Sequence, residues 1–195
     1  MEKLGRTERE KAQKDQTKDP VSAENYRETV YVAGGCLWGV QHFFDSLPGV
    51  IMTEAGRANG KTDSLDGPYD GYAECVKVVF DHRVTTIPRL MEHLFEIIDP
   101  YSRNKQGVDV GKKYRTGIYS TSPAHLEEAK AFIENREDRD QIAVEVLPLT
   151  NYVRSAEVHQ HHLERYPEDR SYCHIPERVL NKYRTPKPAG RPGHL

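Results

Sequence analysis

The stretch that most limits what this chain can become is Tyr31-Val32-Ala33-Gly34-Gly35-Cys36-Leu37-Trp38-Gly39-Val40-Gln41-His42-Phe43-Phe44. Thr29 to Ala33 is β-branched and aromatic and reads as a short strand, after which two glycines turn the chain. From Cys36 onward the apolar residues recur at helical spacing. Leu37, Val40, Phe44 and Leu47 share one face, and Pro48-Gly49 stops the run. Cys36 is therefore expected in the first turn of a helix, just after a strand. The unpaired N–H groups and the positive dipole end there favour an anion, and a thiolate is an anion. The expectation is a thiol that ionises below the free value of ~8.5 and so presents its nucleophilic form. The alternative open at this point is a small buried hydrophobe, the commoner fate of a free cysteine.

The elements that follow fall in a recognisable order. Val50 to Ala55 reads as a strand, Gly56 to Gly71 as a Gly/Asp-rich loop, and Ala73 to Phe80 as a strand with Val76, Val78 and Phe80 on one face. Thr86 caps a helix with Pro88 in its first turn and Ile87, Leu90, Met91, Leu94 and Ile98 as its apolar stripe. Tyr114 to Tyr119 reads as the next strand. This is β-α-β-β-α-β, the split βαβ order of ferredoxin-like folds. A helix from Pro123 to Asp138 capped by Ser122, a strand from Ile142 to Leu147 and a short helix from Ala156 to Arg165 complete it. The fold class is α/β, or α+β by stricter bookkeeping. It comprises a mixed sheet with helices packed on it and an added C-terminal helix-strand-helix.

Charge and cysteine usage exclude several classes. Twenty-eight basic and thirty acidic residues give a net charge of −2, which points to neither a nucleic-acid nor a membrane-surface partner. Three cysteines do not make a disulfide framework, and an odd count fits reactive thiols in a reducing compartment. No apolar run approaches membrane-spanning length. Residues 1–26 read as a polar lead-in lacking the apolar core of a signal peptide, residues 27–184 as a single catalytic domain, and residues 185–195 as a Pro/Gly-rich tail. A cytoplasmic monomer is expected.

Three further places carry chemistry. Alternation puts Glu74 on the face of Val76, Val78 and Phe80, where apolar neighbours would keep a carboxyl protonated; a solvent-facing strand end is the plainer reading. Gln106-Gly107-Val108-Asp109-Val110-Gly111-Lys112-Lys113-Tyr114-Arg115 reads by itself as a turn with an isolated Asp109 and an edge Tyr114. Val158-His159-Gln160-His161-His162 invites a metal, but a helix would put His159 and His162 on one face and His161 on another. No cysteine or acidic pair nearby completes a tetrahedral set, and no metal site is expected.

Together these segments resemble one family. Gly35-Cys36-Leu37-Trp38-Gly39 is similar to the Gly-Cys-Phe-Trp-Gly signature of the A-type peptide methionine sulfoxide reductases. Gly71-Tyr72-Ala73-Glu74 resembles its Gly-His-Ala-Glu segment, Gln106 to Arg115 its Gln-Gly-Asn-Asp-x-Gly-x-Gln-Tyr-Arg motif, and Glu157 to Gln160 its Asp-Tyr-His-Gln helix. Tyr172-Cys173-His174-Ile175 resembles the segment that often holds a recycling cysteine. The likeness spans roughly Tyr31 to Ile175 and implies thiol-dependent reduction of methionine sulfoxide, of the S epimer, free or in proteins.

The resemblance also implies roles. Cys36 attacks sulfur and becomes a sulfenic acid, Glu74 protonates the oxygen, Tyr114 assists, and Cys173 recycles Cys36. Leu37 and Trp38 form the methyl cage, Asp109 reaches the site, and Tyr69 or, as the alternative, Tyr72 contacts substrate. No bound cofactor is implied, and the reductant is an external thioredoxin-like dithiol. The chain departs from the pattern at Leu37, Tyr72, Val108 and Lys113, and Arg57 stands where tyrosine is usual. Cys75, facing away from Glu74, reads as structural. The rivals are a Cys–His acyl-transfer enzyme with His159 or His42 as base, and a redox-sensing or peptide-binding module that does not turn over.

Overall fold

The computed structural model describes residues 26–184; the polar lead-in up to residue 25 and the Pro/Gly-rich tail lie outside the described residues. The first strand β1 (Arg27–Gly34) leads through Gly35 and Cys36 into helix α1 (Leu37–Phe44). Gly35 has φ +87°, and a Cβ there would lie 2.7 Å from the Cβ of Gln106 and 2.9 Å from the His174 ring. Only glycine meets both the backbone angle and the space. Strands β2 (Val50–Ala58) and β3 (Ala73–Asp81) follow, then helix α2 (Ile87–Ile97), where the Thr86 hydroxyl accepts from the Arg89 N–H at 3.4 Å. A two-residue hairpin, β4 (Lys105–Gln106) and β5 (Asp109–Val110), precedes β6 (Thr116–Ser120).

The sheet order is β7-β6-β1-β3-β2-β8, with β7 (Glu145–Pro148) and β8 (Tyr152–Arg154) as its edges. Its four central strands pair antiparallel in the order of a ferredoxin-like βαββαβ unit, and β7 joins β6 in parallel, which makes the sheet mixed. Val30, Val32, Val76, Val78 and Phe80 point to one face and are buried beneath Val40 and Phe44 of α1 and Leu90, Met91 and Leu94 of α2. The opposite face holds a smaller cluster around Ala33, Cys75 and Tyr119. The fold class and the mixed sheet read from the sequence are those observed.

The ends of elements differ from the reading. The strand expected from Tyr114 is a 3-10 turn at Lys112–Tyr114, entered through Gly111 at φ +141°, and pairing starts at Thr116. Helix α3 (Pro123–Glu134) stops four residues short of Asp138, and the Ser122 side chain makes no capping bond. The short helix from Ala156 to Arg165 is broken. A 3-10 turn at Glu157–His159 is separated from α4 (His162–Arg165) by His161 in the left-handed region, φ +49°. The cause is tertiary. The His161 N–H donates to Gln41 Oε1 at 2.8 Å and its ring meets Asp45 at 2.7 Å. Strand β8, a 3-10 helix at Pro167–Tyr172 and the one-turn α5 (Glu177–Leu180) carry no periodic signal long enough to read.

Candidate active site

Cys36 is the N-cap residue of α1, one position outside the helix, with φ −62° and ψ 121°. It opens into a cavity of about 320 Å³ that is also lined by Leu37, Trp38, Tyr72, Glu74, Asp109, Tyr114 and Cys173. Four segments distant in the chain meet there. The thiol does not have the depressed value expected of a helix N-terminus. Burial, and next the negative charge of Glu74, push Cys36 up to about 12, against the Trp38 N–H that bonds its sulfur. The dipole of an eight-residue helix does not offset loss of water and a facing carboxylate.

Glu74 sits at the start of β3, opposite Arg57 of β2. Apolar side chains are not its only neighbours: Oε2 accepts from the Leu37 N–H at 3.2 Å and Oε1 lies 3.0 Å from the Lys113 ammonium. Lys113 also lies over the Tyr114 ring, 4.6 Å from its centre. Burial works against its charge, but the Tyr114 hydroxyl and Glu74 outweigh it and hold the ammonium above its ordinary value. Burial raises Tyr114 as well. Asp109, held by the β4–β5 hairpin, is raised by burial, and its Oδ2 lies 3.7 Å from His174 Nδ1.

Trp38 forms the aromatic wall. Its indole N–H donates to His159 Nδ1 at 3.1 Å, and the His162 ring stacks on it with centroids 3.7 Å apart at 11°. Burial lowers His159, so the ring stays the neutral acceptor that this bond requires. His159 and His162 thus fix an indole, while among the described residues no group of three or more His, Cys, Asp or Glu is arranged to hold a metal.

The family model for peptide methionine sulfoxide reductase matches residues 28–189. Among curated relatives, a peptide methionine sulfoxide reductase MsrA from Clostridium acetobutylicum is 35% identical over 79% of this chain and 98% of that protein. One from Clostridium perfringens is 39% identical over 75% and 96%. Among solved structures, reduced Mxr1 from Saccharomyces cerevisiae aligns with a TM-score of 0.69 at 28% identity, covering 74% of this chain and 88% of that one. Methionine sulfoxide reductase A of Corynebacterium diphtheriae aligns with a TM-score of 0.66 at 29% identity, covering 73% and 76%.

The chain belongs to the peptide methionine sulfoxide reductase family.

As a member of that family the reductase is an oxidoreductase, and its remaining candidate residues are placed as follows. Tyr72 lines the cavity, whereas Tyr69 does not. Tyr69 is exposed in a neighbouring cleft, its hydroxyl donating to the Tyr72 carbonyl at 2.9 Å. Leu37 is both a cavity wall and part of the main core. Cys173 lies on a packed segment: Ile175, two residues on, is fully buried, and His174 between them donates to the Ile97 carbonyl at 3.1 Å. Its sulfur rests on α1, where a Cβ on Gly39 would come within 2.4 Å of it. Cys75 is buried on the opposite face of the sheet.

Arg57, Lys113, Ser155, Leu163, Asp169 and Tyr172 also line the cavity and were not singled out as site residues from the sequence, whereas His159, a candidate base of the acyl-transfer reading, lines it too. For Lys113 and Arg57 a signal was present, since both break the family pattern. His42, the other candidate base, is buried away from the cavity beside Arg184. Burial and then that cation bring it down to about 4.

Proposed function

We propose that the reductase acts on the S epimer of methionine sulfoxide, free or within proteins, with Cys36 as the nucleophile, Glu74 as proton carrier and Tyr114 as a further hydrogen-bond donor to the oxygen. The methyl group lies against Trp38, Leu37 and Tyr72. The observation that carries the reading is the convergence of Cys36, Glu74 and Tyr114 on one cavity walled by Trp38.

The proton balance starts from a Cys36 that keeps its proton at rest with Glu74 beside it. Cys36 sulfur bonds to the sulfoxide sulfur as its proton passes to Glu74 and on to the sulfoxide oxygen. The sulfur–oxygen bond then breaks, the hydroxyl transfers to Cys36, and methionine leaves as the thioether. Thiol plus sulfoxide gives sulfenic acid plus thioether, so this step draws no electron from elsewhere. Cys173 then condenses with the sulfenic acid, releasing water and forming a disulfide. An external dithiol of the thioredoxin type restores both thiols, and no bound cofactor enters the scheme. Support for that donor comes from yeast Mxr1, solved also in complex with Trx2. All three cysteines are free, as suits a reducing compartment such as the cytoplasm, where the enzyme acts as a monomer. Among the described residues no helix is long and apolar enough to cross a membrane.

The test is Cys36→Ser with each sulfoxide epimer and a dithiol, read by methionine release. Wild-type enzyme should release methionine from the S epimer, and Cys36→Ser should release none while keeping its circular dichroism spectrum. Turnover by Cys36→Ser would end the reading, as would release from the R epimer alone.

A further inference from the structure

The charges around the cavity do not cancel pairwise. Three carboxylates line it, and each faces a cation or an imidazole: Glu74 faces Lys113 at 3.0 Å, Asp169 faces His162 at 2.7 Å, and Asp109 faces His174 at 3.7 Å. Arg57 lines the same cavity and, among the described residues, has no carboxylate within salt-bridge distance. One of its N–H groups donates to the Leu65 carbonyl at 2.9 Å, and its guanidinium lies 4.5 Å above the Tyr72 ring. Asp70 shares a neighbouring hollow with Arg57, but its oxygens accept from Thr62, Lys61 and Tyr72. A guanidinium has five N–H donors, so most of those on Arg57 are left for a ligand. The Tyr72 face and the Leu65 carbonyl hold the fork in place, which lowers the entropy lost when a ligand docks.

Position adds to charge. Arg57 is directly across the β2–β3 ladder from Glu74, so the two side chains leave the sheet from adjacent points at the same level. A substrate that offers its sulfoxide oxygen to Glu74 therefore has its next polar group near Arg57.

From these observations we infer that Arg57 is a specificity-determining residue that binds a carboxylate carried by the substrate close to the sulfoxide. This rests on the reading that the sulfoxide is reduced in this cavity. The carboxylate has two sources, the α-carboxylate of free methionine sulfoxide or an acidic side chain adjacent to the oxidised methionine in a polypeptide. A planar guanidinium pairs with either in a bidentate manner.

The experiment measures kcat/KM in two arms. One compares free L-methionine-S-sulfoxide with its methyl ester. The other compares end-blocked peptides with Asp or Asn next to the sulfoxide. Wild-type enzyme should prefer the acid about tenfold or more in one arm, which identifies the source, and rising salt should shrink the preference. Arg57→Gln should bring that ratio to about one, and Arg57→Lys should keep part of it. Because the readout is a ratio between two substrates on one enzyme, a partly misfolded variant lowers both rates and leaves it intact. No acid preference in either arm, or one that survives Arg57→Gln, overturns the proposal. Failure of wild-type enzyme to reduce even the neutral ester would instead strike the reading of the cavity beneath it.

Discussion

Residues 27–120 and residues 152–184 meet at the cavity but are held by different means. The first region is β1 to β6 with its two helices, and its side chains follow period 2 in the strands and 3.6 in the helices, giving one continuous core. The second has one short strand, 3-10 turns and one-turn helices, and side-chain hydrogen bonds anchor it. Gln160 is fully buried, taking the Ala55 N–H at 2.9 Å and donating to the Ala55 and Ser155 carbonyls. His161 reaches Asp45, Lys182 and Tyr183 reach Glu96, and Arg184 reaches the His42 ring. On the proposed mechanism the two regions also divide the work. Cys36, Glu74 and Tyr114 come from the first. Cys173 and the histidines that fix Trp38 come from the second. Substitutions in the first region should hit methionine release, and those in the second should hit recycling or stability.

The largest expected contrast is between half-reactions. Cys173→Ser should lose thioredoxin-supported turnover while still releasing one methionine per enzyme when mixed with sulfoxide and no reductant, and a small thiol should restore its cycling. Quench-flow measurement of methionine separates the two stages. Full thioredoxin-driven turnover in Cys173→Ser would show that the second region does not supply the recycling thiol.

The opposite pattern is expected for Glu74→Gln. The amide still bonds the Leu37 N–H but relays no proton, so methionine release itself should slow by about 10²–10⁴. Single-turnover release at the wild-type rate would remove Glu74 from the chemistry.

The same division explains what the sequence revealed. Period and capping carried the βαββαβ unit because each of its elements buries a stripe long enough to repeat, as Leu90, Met91 and Leu94 do in α2. The C-terminal region escaped because a single side chain such as Gln160 does there what a strand does elsewhere. In the site, the Cys36, Glu74, Asp109, Tyr114 and Trp38 positions were legible from motifs, and all line the cavity. The state of the thiol was not. It depends first on burial under the tertiary fold and next on Glu74 arriving from residues far along the chain, and no local rule about helix ends contains either. Between Tyr69 and, as the alternative, Tyr72 the motifs alone did not decide, and of the two it is Tyr72 that lines the cavity while Tyr69 sits in the cleft beside it. The histidine run suggested a helix until His161 turned left-handed to reach Gln41 and Asp45.

A smaller effect tests how the second region is anchored. β8 pairs with β2 only at Gly56, Arg57 and Ala58, and the Gln160 side chain continues the ladder to Ala55. Gln160→Ala leaves the buried Ala55 N–H without a partner and should cost about 2–4 kcal/mol, read as a lower urea midpoint. Methionine release at low denaturant should stay close to wild type. An unchanged midpoint would mean that packing rather than hydrogen bonding holds this region.

The smallest effect is a shift in where a thiol titrates, and Cys75 serves as its internal control. Burial raises both thiols, but the Glu74 charge acts on Cys36 alone, whereas for Cys75 no carboxylate adds to burial. With Cys36 held up to about 12, its alkylation in the folded enzyme should be slow near neutral pH. It should climb about tenfold per pH unit past about pH 10, since only the thiolate reacts. In urea the same thiol should level off above ~8.5. The sign for stability follows. The folded chain keeps a proton that the unfolded chain loses, so this group's stabilising contribution is complete below the unfolded value and is lost as pH rises towards the folded one. Glu74→Gln removes the second cause of the rise. It should move the Cys36 profile to lower pH by on the order of one unit, speeding alkylation in the variant whose turnover has slowed. Cys75 should not respond. Cys173→Ser should move the profile far less, because Cys173 is the least of the groups that raise Cys36. Equal shifts in the two variants would mean that the second region sets the state of the nucleophile as much as the first, and the division of work would fail at the atom where it matters most.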